Sequence, residues 1–304
     1  VRVGIIGVGY VGSSVAMSVL QAGVAGELLL HDRDAARAEG EAMDMAHGSP
    51  FYPRAAVRSA TLDQVLDCDA LVFAAGRNSR PGETRLQLLA DNARVAQEVG
   101  LRLAGSRAVV VVVSNPVDVL TRVLLQASGL PPAQVLGTGT MLDTARLRQS
   151  LGRHLGVDPR SVHAQVLGEH GDSECVQWSA AQVGGRLLRQ IERWSSAEEE
   201  RIATEVRTAG YQVIQRKGVT NHAIGLVTAS LLRAVQRDEQ RVLTVSRQQA
   251  SGVALSMPTV VGRQGGHALL LPALDAAETA ALARSTAVLQ QAWDGLPAGF
   301  TSNR

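Results

Sequence analysis

An α/β fold is predicted: a doubly wound, parallel sheet over the first half of the chain, followed by a second unit of longer helices and strands. Three observations predict it. Short runs of Val, Ile and Leu without polar alternation recur through the first half, as parallel strands covered on both faces require. Amphipathic stretches of helical length separate these runs, which is the alternation of a β-α-β winding. A glycine-rich turn, Gly7 to Gly12, joins the first apolar run to the first such stretch.

Taken in order, "VRVGIIG" reads as a buried strand, Val11 to Ala22 as a helix, "ELLLHD" as a second strand and Ala35 to His47 as a second helix. "DALVFAAG" and "AVVVVVSNP" are two further strands, with a helix from Arg85 to Ala104 between them. After "QVLGTGTMLDTARLRQSL" the elements lengthen and alternate more. There "SVHAQVLGEH" reads as a strand, "SAEEERIATEVRTAGYQVIQRKG" as a helix, and Ala276 to Trp293 as a closing helix. The change of pattern near residue 140 divides the chain into residues 1–140 and 141–304, with no flexible linker between them.

The 304 residues carry a formal net charge of +2, with 45% hydrophobic and 19% charged residues, a balance that argues against disorder. Positive charge comes from scattered arginines and not from a dense block, so no nucleic-acid partner is expected. No apolar run is long enough for a membrane helix, and no membrane partner is expected. The two cysteines, Cys68 and Cys175, lie far apart without ligand spacing. That usage predicts no disulfide framework, no metal site and a reducing, cytoplasmic location.

The hexapeptide "GVGYVG" means little alone in a chain with 30 glycines. Its context carries the weight: a strand precedes it, a helix follows, and Asp32 ends the next strand 20 residues after Gly12. This is the Rossmann dinucleotide-binding arrangement. Gly7 permits the tight turn, Gly9 lets the backbone approach a pyrophosphate, Gly12 permits close helix packing, and the helix N-terminus receives the phosphates. Asp32 would accept hydrogen bonds from the ribose hydroxyls and repel a 2′-phosphate, which favours NAD over NADP. Arg33 beside it pulls the other way.

Two segments suggest chemistry. "VLGEHGDS" sets His170 between glycines after an apolar strand, as a ligand-facing turn requires. "MLDTAR" puts Asp143 and Arg146 at i and i+3 on one helical face; spacing alone fits a surface ion pair as well as a functional pair.

The segments "GVGYVG", "PGETRLQLL", "SNPVDVLT", "GTGTMLDTARLR", "VHAQVLGEHGDSE", "WSAAQVGG" and "LSMPTVVGRQG" together resemble the lactate/malate dehydrogenase family, specifically its bacterial L-lactate branch, over almost the whole chain. The resemblance implies a C-terminal α+β substrate domain and hydride transfer between NAD and a small 2-hydroxy or 2-oxo monocarboxylate. By that resemblance His170 is the acid/base acting on the substrate oxygen, a role an imidazole suits because its ordinary pKa lies near neutrality. Asp143 would fix the ring's tautomer, and Arg146 would bind the substrate carboxylate through two parallel hydrogen bonds. Arg85 corresponds to an arginine that polarises the substrate carbonyl, Asn115 to an asparagine near the nicotinamide and the substrate oxygen, and Thr220 to a threonine beside the substrate side chain.

"AAGRNSRPGETR" then resembles a substrate-induced lid with Gly76 and Gly82 as hinges. At the Ser79 position lactate dehydrogenases usually carry glutamine and malate dehydrogenases arginine. Serine cannot pair with a second carboxylate, which argues against malate, and it leaves volume for side chains larger than methyl. Arg77 and Arg80 flank it, and Pro81 restrains Arg80 in an extended conformation. Asn221 and His222 stand where the lactate enzymes usually have bulkier residues. Arg148 and His163 match positions that bind fructose 1,6-bisphosphate in allosteric relatives, and the resemblance implies a homo-oligomer, tetramer or dimer. Two alternatives stay open here: a malate dehydrogenase, and a non-catalytic nucleotide-binding subunit of the same fold.

Overall fold

The computed structural model describes residues 1–77, 85–192 and 194–301, without the side chains of Arg85, Leu86 and Thr301. The first half winds through β1 (Arg2–Ile6), α1 (Tyr10–Gln21), β2 (Glu27–His31), α2 (Ala35–His47), β3 (Ala56–Ser59), α3 (Leu62–Leu66), β4 (Ala70–Phe73), α4 (Arg85–Arg102), β5 (Val109–Val112), α5 (Val117–Ser128) and β6 (Val135–Gly137). The second half continues with α6 (Met141–Leu155), β7 (Val162–His163), β8 (Val166–Leu167), β9 (Cys175–Val176), β10 (Gln182–Val183), β11 (Arg186–Leu187), α7 (Ser196–Lys217), α8 (His222–Gln236), β12 (Arg241–Gln248), β13 (Ala254–Gly262), β14 (Gly265–Leu269) and α9 (Ala276–Asp294).

Nine strands form one sheet in the order β14-β13-β12-β6-β5-β4-β1-β2-β3. The stretch from β6 to β3 is parallel, and β12, β13 and β14 add antiparallel ladders at the β6 edge. The six parallel strands run 3-2-1-4-5-6, the doubly wound order with its switch point between β1 and β4.

Strand alternation explains why the apolar runs needed no polar residues. In β1, β2, β4 and β5 the side chains Val3, Ile5, Leu28, Leu30, Val72, Val109 and Val111 enter one core, shared with α1, α2 and α8. Their neighbours Ile6, Leu29, Leu71, Phe73, Val110 and Val112 enter a second core with α4, α5 and α9. Successive side chains point to opposite faces, and both faces are dry. A third cluster, with Leu147, Leu151, Val166, Trp178, Ile202 and Val206, lies among α6, α7 and the short strands.

The helices expected over the first half are present to within two residues at their ends, and α2 spans the expected range. The strand expected over "SVHAQVLGEH" is divided. Val162–His163 joins a three-stranded sheet with β10 and β11, while Val166–Leu167 pairs with β9. The interruption lets one extended segment serve two sheets, and the bend then delivers Gly168 to an antiparallel bridge with Ser256 of β13. The sheet also runs past residue 140, because Ser246 of β12 pairs with Gly137 of β6. Among the described residues, no helix is long and apolar enough to cross a membrane and no cluster of His, Cys, Asp or Glu is arranged to hold a metal. Cys68 and Cys175 are free and buried.

Candidate active site

The glycine-rich turn leaves β1 and enters α1 as its spacing predicts. Gly7 has φ +92°, and a Cβ there would stand 2.6 Å from the Ala75 backbone. A Cβ on Gly12 would stand 1.9 Å from the Gly7 carbonyl oxygen, so helix and turn touch backbone to backbone. Gly9 differs, since a Cβ there would meet nothing within 4 Å. That space lies at the N-terminus of α1, where unpaired backbone N–H groups favour an anion. Asp32 closes the turn from β2: its Oδ2 accepts the Val8 N–H at 2.9 Å and its Oδ1 the Asp34 N–H at 3.0 Å. Each oxygen keeps a lone pair for a further donor. These residues fit a dinucleotide: the open space at Gly9 would admit a pyrophosphate, and Asp32 could accept from a ribose hydroxyl.

The loops after β1, β4 and β5 all open at the carboxyl ends of parallel strands, where doubly wound sheets bind ligands. Asn115 follows β5, is exposed, and enters a cis peptide bond with Pro116. Three residues on, Asp118 in the first turn of α5 is 2% exposed, and its Oδ2 accepts the His170 N–H at 2.8 Å. This bond ties the segment bearing Asn115 to the turn bearing His170.

That turn is held from three sides. Gly168, at φ +85°, exchanges backbone hydrogen bonds of 2.9 and 2.8 Å with Ser256 of β13. Glu169 N–H donates to Ser285 Oγ of α9 at 2.6 Å, and Asp118 takes the His170 N–H from α5. A Cβ on Gly168 would stand 2.5 Å from Ser285 Oγ, so a glycine is needed both for its φ and for the space.

The start of α6 is fastened to the same region by hydroxyls. Thr140 Oγ1 donates to the Val166 carbonyl at 2.5 Å, and Thr144 Oγ1 accepts the Val166 N–H at 3.0 Å. With α6 so placed, Asp143 Oδ2 lies 2.6 Å from His170 Nδ1, and Arg146 Nη1 donates to Asp143 Oδ1 at 2.7 Å. The Asp143–Arg146 spacing left open between surface pair and functional pair is thus a pair with a buried carboxylate, Asp143 being 2% exposed, and a half-buried guanidinium.

Electrostatics follow from this geometry. Burial alone would raise the Asp143 carboxyl, but His170 and Arg146 outweigh it and hold the group below the usual carboxylate range. An ionised carboxylate only accepts, so His170 Nδ1 carries a proton toward Asp143 and Nε2 is left for another partner. Burial pulls the His170 imidazolium down, yet Asp143 beside it, with Asp118 behind, pushes its pKa up to about 9. Glu174, four residues further on, is buried, and burial together with Asp143 pushes its carboxyl well above the usual range.

Other expected positions lie on several further elements. Thr220 is half-buried on the corner between α7 and α8. Asn221 does not simply vacate space beside it: its amide is engaged by Ser14 Oγ at 2.8 Å and Lys217 Nζ at 2.6 Å, while His222 is exposed at the start of α8. Arg148 is two residues past Arg146, on nearly the opposite face of α6, where its Nε donates to the Ala164 carbonyl at 2.9 Å beside exposed His163. Arg33 is exposed next to Asp32. Arg85 opens α4, but its side chain, like Ser79, Arg80, Pro81 and Gly82, lies outside the described residues. Gly76 and Arg77 are described: Asn92, 3% exposed on α4, accepts the Arg77 N–H at 3.0 Å and donates to the Asn115 carbonyl at 3.0 Å. Sequence reasoning missed Asn92 and Asp118, although the acid in the first turn of a helix after "SNPV" was a readable signal.

Comparison with known proteins agrees with this geometry. Residues 1–137 match the model of the lactate/malate dehydrogenase NAD binding domain, and residues 140–296 that family's alpha/beta C-terminal domain. The L-lactate dehydrogenase of Synechococcus sp. (strain JA-3-3Ab) is 43% identical over 300 residues, covering 96% of this chain and 98% of the relative. That of Thermus aquaticus is 43% identical over 307 residues, covering 97% and 99%. Among solved structures, the minor L-lactate dehydrogenase from Enterococcus mundtii in its ligands-bound form superposes with a TM-score of 0.94 at 36% identity, over 98% of both chains. A dinucleotide turn, a buried His–Asp pair with an arginine on the same carboxylate, and two family models spanning nearly the whole chain converge: this chain belongs to the lactate/malate dehydrogenase family.

Proposed function

We propose that this chain is an NAD-dependent L-lactate dehydrogenase, reducing pyruvate to L-lactate and running the reverse reaction. The observation that carries the reading is the His170–Asp143–Arg146 cluster, which joins an imidazole and a guanidinium, both partly exposed, on one buried carboxylate. The nicotinamide cofactor supplies or takes the hydride when bound. His170 gives a proton to the developing alkoxide through Nε2, and Asp143 holds the ring and stabilises its charged form. Arg146 binds the substrate carboxylate through two parallel hydrogen bonds, Arg85 polarises the carbonyl, Asn115 orients the substrate oxygen and Thr220 lines the side-chain pocket. Malate is disfavoured because Ser79 offers no partner to a second carboxylate.

A steady-state comparison of pyruvate, oxaloacetate and 2-oxoisocaproate with NADH tests this reading. Pyruvate or the branched acid is expected to exceed oxaloacetate in kcat/KM; a preference for oxaloacetate would overturn it. Ser79→Gln is expected to shift the pyruvate to 2-oxoisocaproate ratio toward pyruvate by about tenfold to a hundredfold, the effect of a methylene-sized difference in fit. Ser79→Arg should raise oxaloacetate activity by more, because pairing a buried carboxylate is worth more than filling space.

Finer features are proposed on the same footing. We place the division into a cofactor and a substrate unit near residue 140 and the location in the cytoplasm, in keeping with two free, buried cysteines. A homo-oligomer, tetramer or dimer, is supported by Tyr10, Leu226, Tyr211 and Ile214, which are 68%, 64%, 49% and 49% exposed on α1, α8 and α7. Activation by fructose 1,6-bisphosphate is supported by Arg148, a largely buried guanidinium whose pKa is lowered by burial and by nearby Arg241, and which bonds the carbonyl of Ala164 next to His163. Pyruvate saturation curves and sedimentation velocity, with and without millimolar effector, test both features. Identical curves would remove the effector, and a monomer throughout would remove the oligomer.

A further inference from the structure

The corner joining α7 to α8 is held by a side chain that is expected to do something else. Asn221 occupies the N-cap position of α8, and asparagine is among the best capping residues. It makes no capping bond. Its Nδ2 instead crosses to α1 and donates to Ser14 Oγ at 2.8 Å, while its Oδ1 accepts from Lys217 Nζ, at the end of α7, at 2.6 Å. One amide therefore fastens three elements. The connection it closes is short: α7 ends on Gly218 at φ +83°, and only Val219, Thr220 and Asn221 separate that glycine from α8.

A second observation shows how firmly α8 is seated on the cofactor helix. A Cβ on Gly225, one turn into α8, would stand 2.6 Å from the Ser14 carbonyl oxygen and 2.8 Å from Ser18 Oγ. The two helices meet at backbone distance, so α8 has little freedom to shift along α1. What remains free is the orientation of the corner itself, and the Asn221–Ser14 bond removes that freedom.

We propose that Asn221 is a positioning residue for substrate selectivity: by bonding Ser14 of the cofactor helix it sets where Thr220 stands in the substrate side-chain pocket. The proposal rests on the reading that Thr220 lines that pocket. Selectivity at this site then depends on a residue whose own side chain faces α1 and α7.

Asn221→Ala, Ser14→Ala and the double variant test this, with kcat/KM for pyruvate and for 2-oxoisocaproate, NADH affinity by fluorescence, and Tm. Each single change is expected to lower the pyruvate to 2-oxoisocaproate ratio by roughly tenfold, mainly through the KM of pyruvate, with NADH affinity within about twofold of wild type. The double variant is expected to go no further than Asn221→Ala, because Asn221→Ala already lacks the bond that Ser14→Ala removes. A change in Tm without a change in the ratio would assign Asn221 a structural role only and overturn the proposal, as would additive effects on the ratio. Thr220→Ala separates the two levels of the argument. If it moves the ratio while Asn221→Ala and Ser14→Ala do not, the proposal alone falls. If Thr220→Ala leaves the ratio unchanged, the pocket reading falls and the proposal with it.

Discussion

Replacing His170 with asparagine is expected to leave NADH binding intact and to lower turnover by about 10²- to 10⁴-fold, the usual worth of a positioned general acid/base. The backbone of the turn is held by Ser256, Ser285 and Asp118 through main-chain groups, so the substitution removes the ring without releasing the loop. Turnover near wild type would exclude His170 as the proton donor. The wild-type pH profile provides an independent check. Because the folded-state pKa is pushed up to about 9, the ring stays protonated from neutrality to about pH 9. Reduction, which consumes that proton, is expected to hold its kcat/KM over this range and fall above it, while oxidation, which needs the neutral ring, rises over the same limb. Asp143→Asn should move the limb down in pH, since Asp143 opposes the pull of burial. The same pairing stabilises the fold fully below the ordinary histidine pKa of 6.5, and this contribution is lost as pH rises through about 9. An alkaline limb unchanged in Asp143→Asn would break the link between the pair and the profile.

Arg146→Lys is expected to lower kcat/KM for 2-oxo acids by roughly thirtyfold to several thousandfold, again with NADH affinity preserved. Removing one partner of a desolvated, hydrogen-bonded charge pair costs about 2 to 5 kcal/mol, and about 1.4 kcal/mol is tenfold. In the structure the guanidinium bonds Asp143 through Nη1 alone, at 2.7 Å and from a side chain 19% exposed, which leaves its other N–H donors for a substrate carboxylate under the proposed role. Its planar fork can present two parallel N–H groups to the newcomer; an ammonium can present only a point charge. Lysine could still neutralise Asp143, which makes the substitution a test of substrate binding and not of the His–Asp pair. A KM for pyruvate within twofold of wild type would show that another cation, with Arg77 or Arg80 the first to examine, holds the substrate carboxylate.

Local chemistry determined a large part of this protein. Val, Ile and Leu runs with no polar residues marked strands dry on both faces, and the structure sorts their alternate side chains into two cores. Gly7, Gly9, Gly12 and Asp32 were legible because each answers a short-range demand: a positive φ, an open approach, a helix contact and an acceptor at a strand end. His170, Asp143 and Arg146 were legible as residue types in recurring motifs. What those side chains are to one another was decided only by the tertiary structure. The i, i+3 spacing of Asp143 and Arg146 fits an exposed ion pair equally well, and burial against β8 made it a desolvated one. The single strand expected over "SVHAQVLGEH" became two, because its pairing partners come from distant sequence. Asp118 and Asn92 joined the site through bonds spanning 52 and 23 residues, and Asn221 reached Ser14 across 207. No periodicity reports such contacts, since turn chemistry and helical or strand spacing act over a few residues, whereas the charge state of His170 and the placement of Thr220 depend on which distant groups the packed chain brings within hydrogen-bond range.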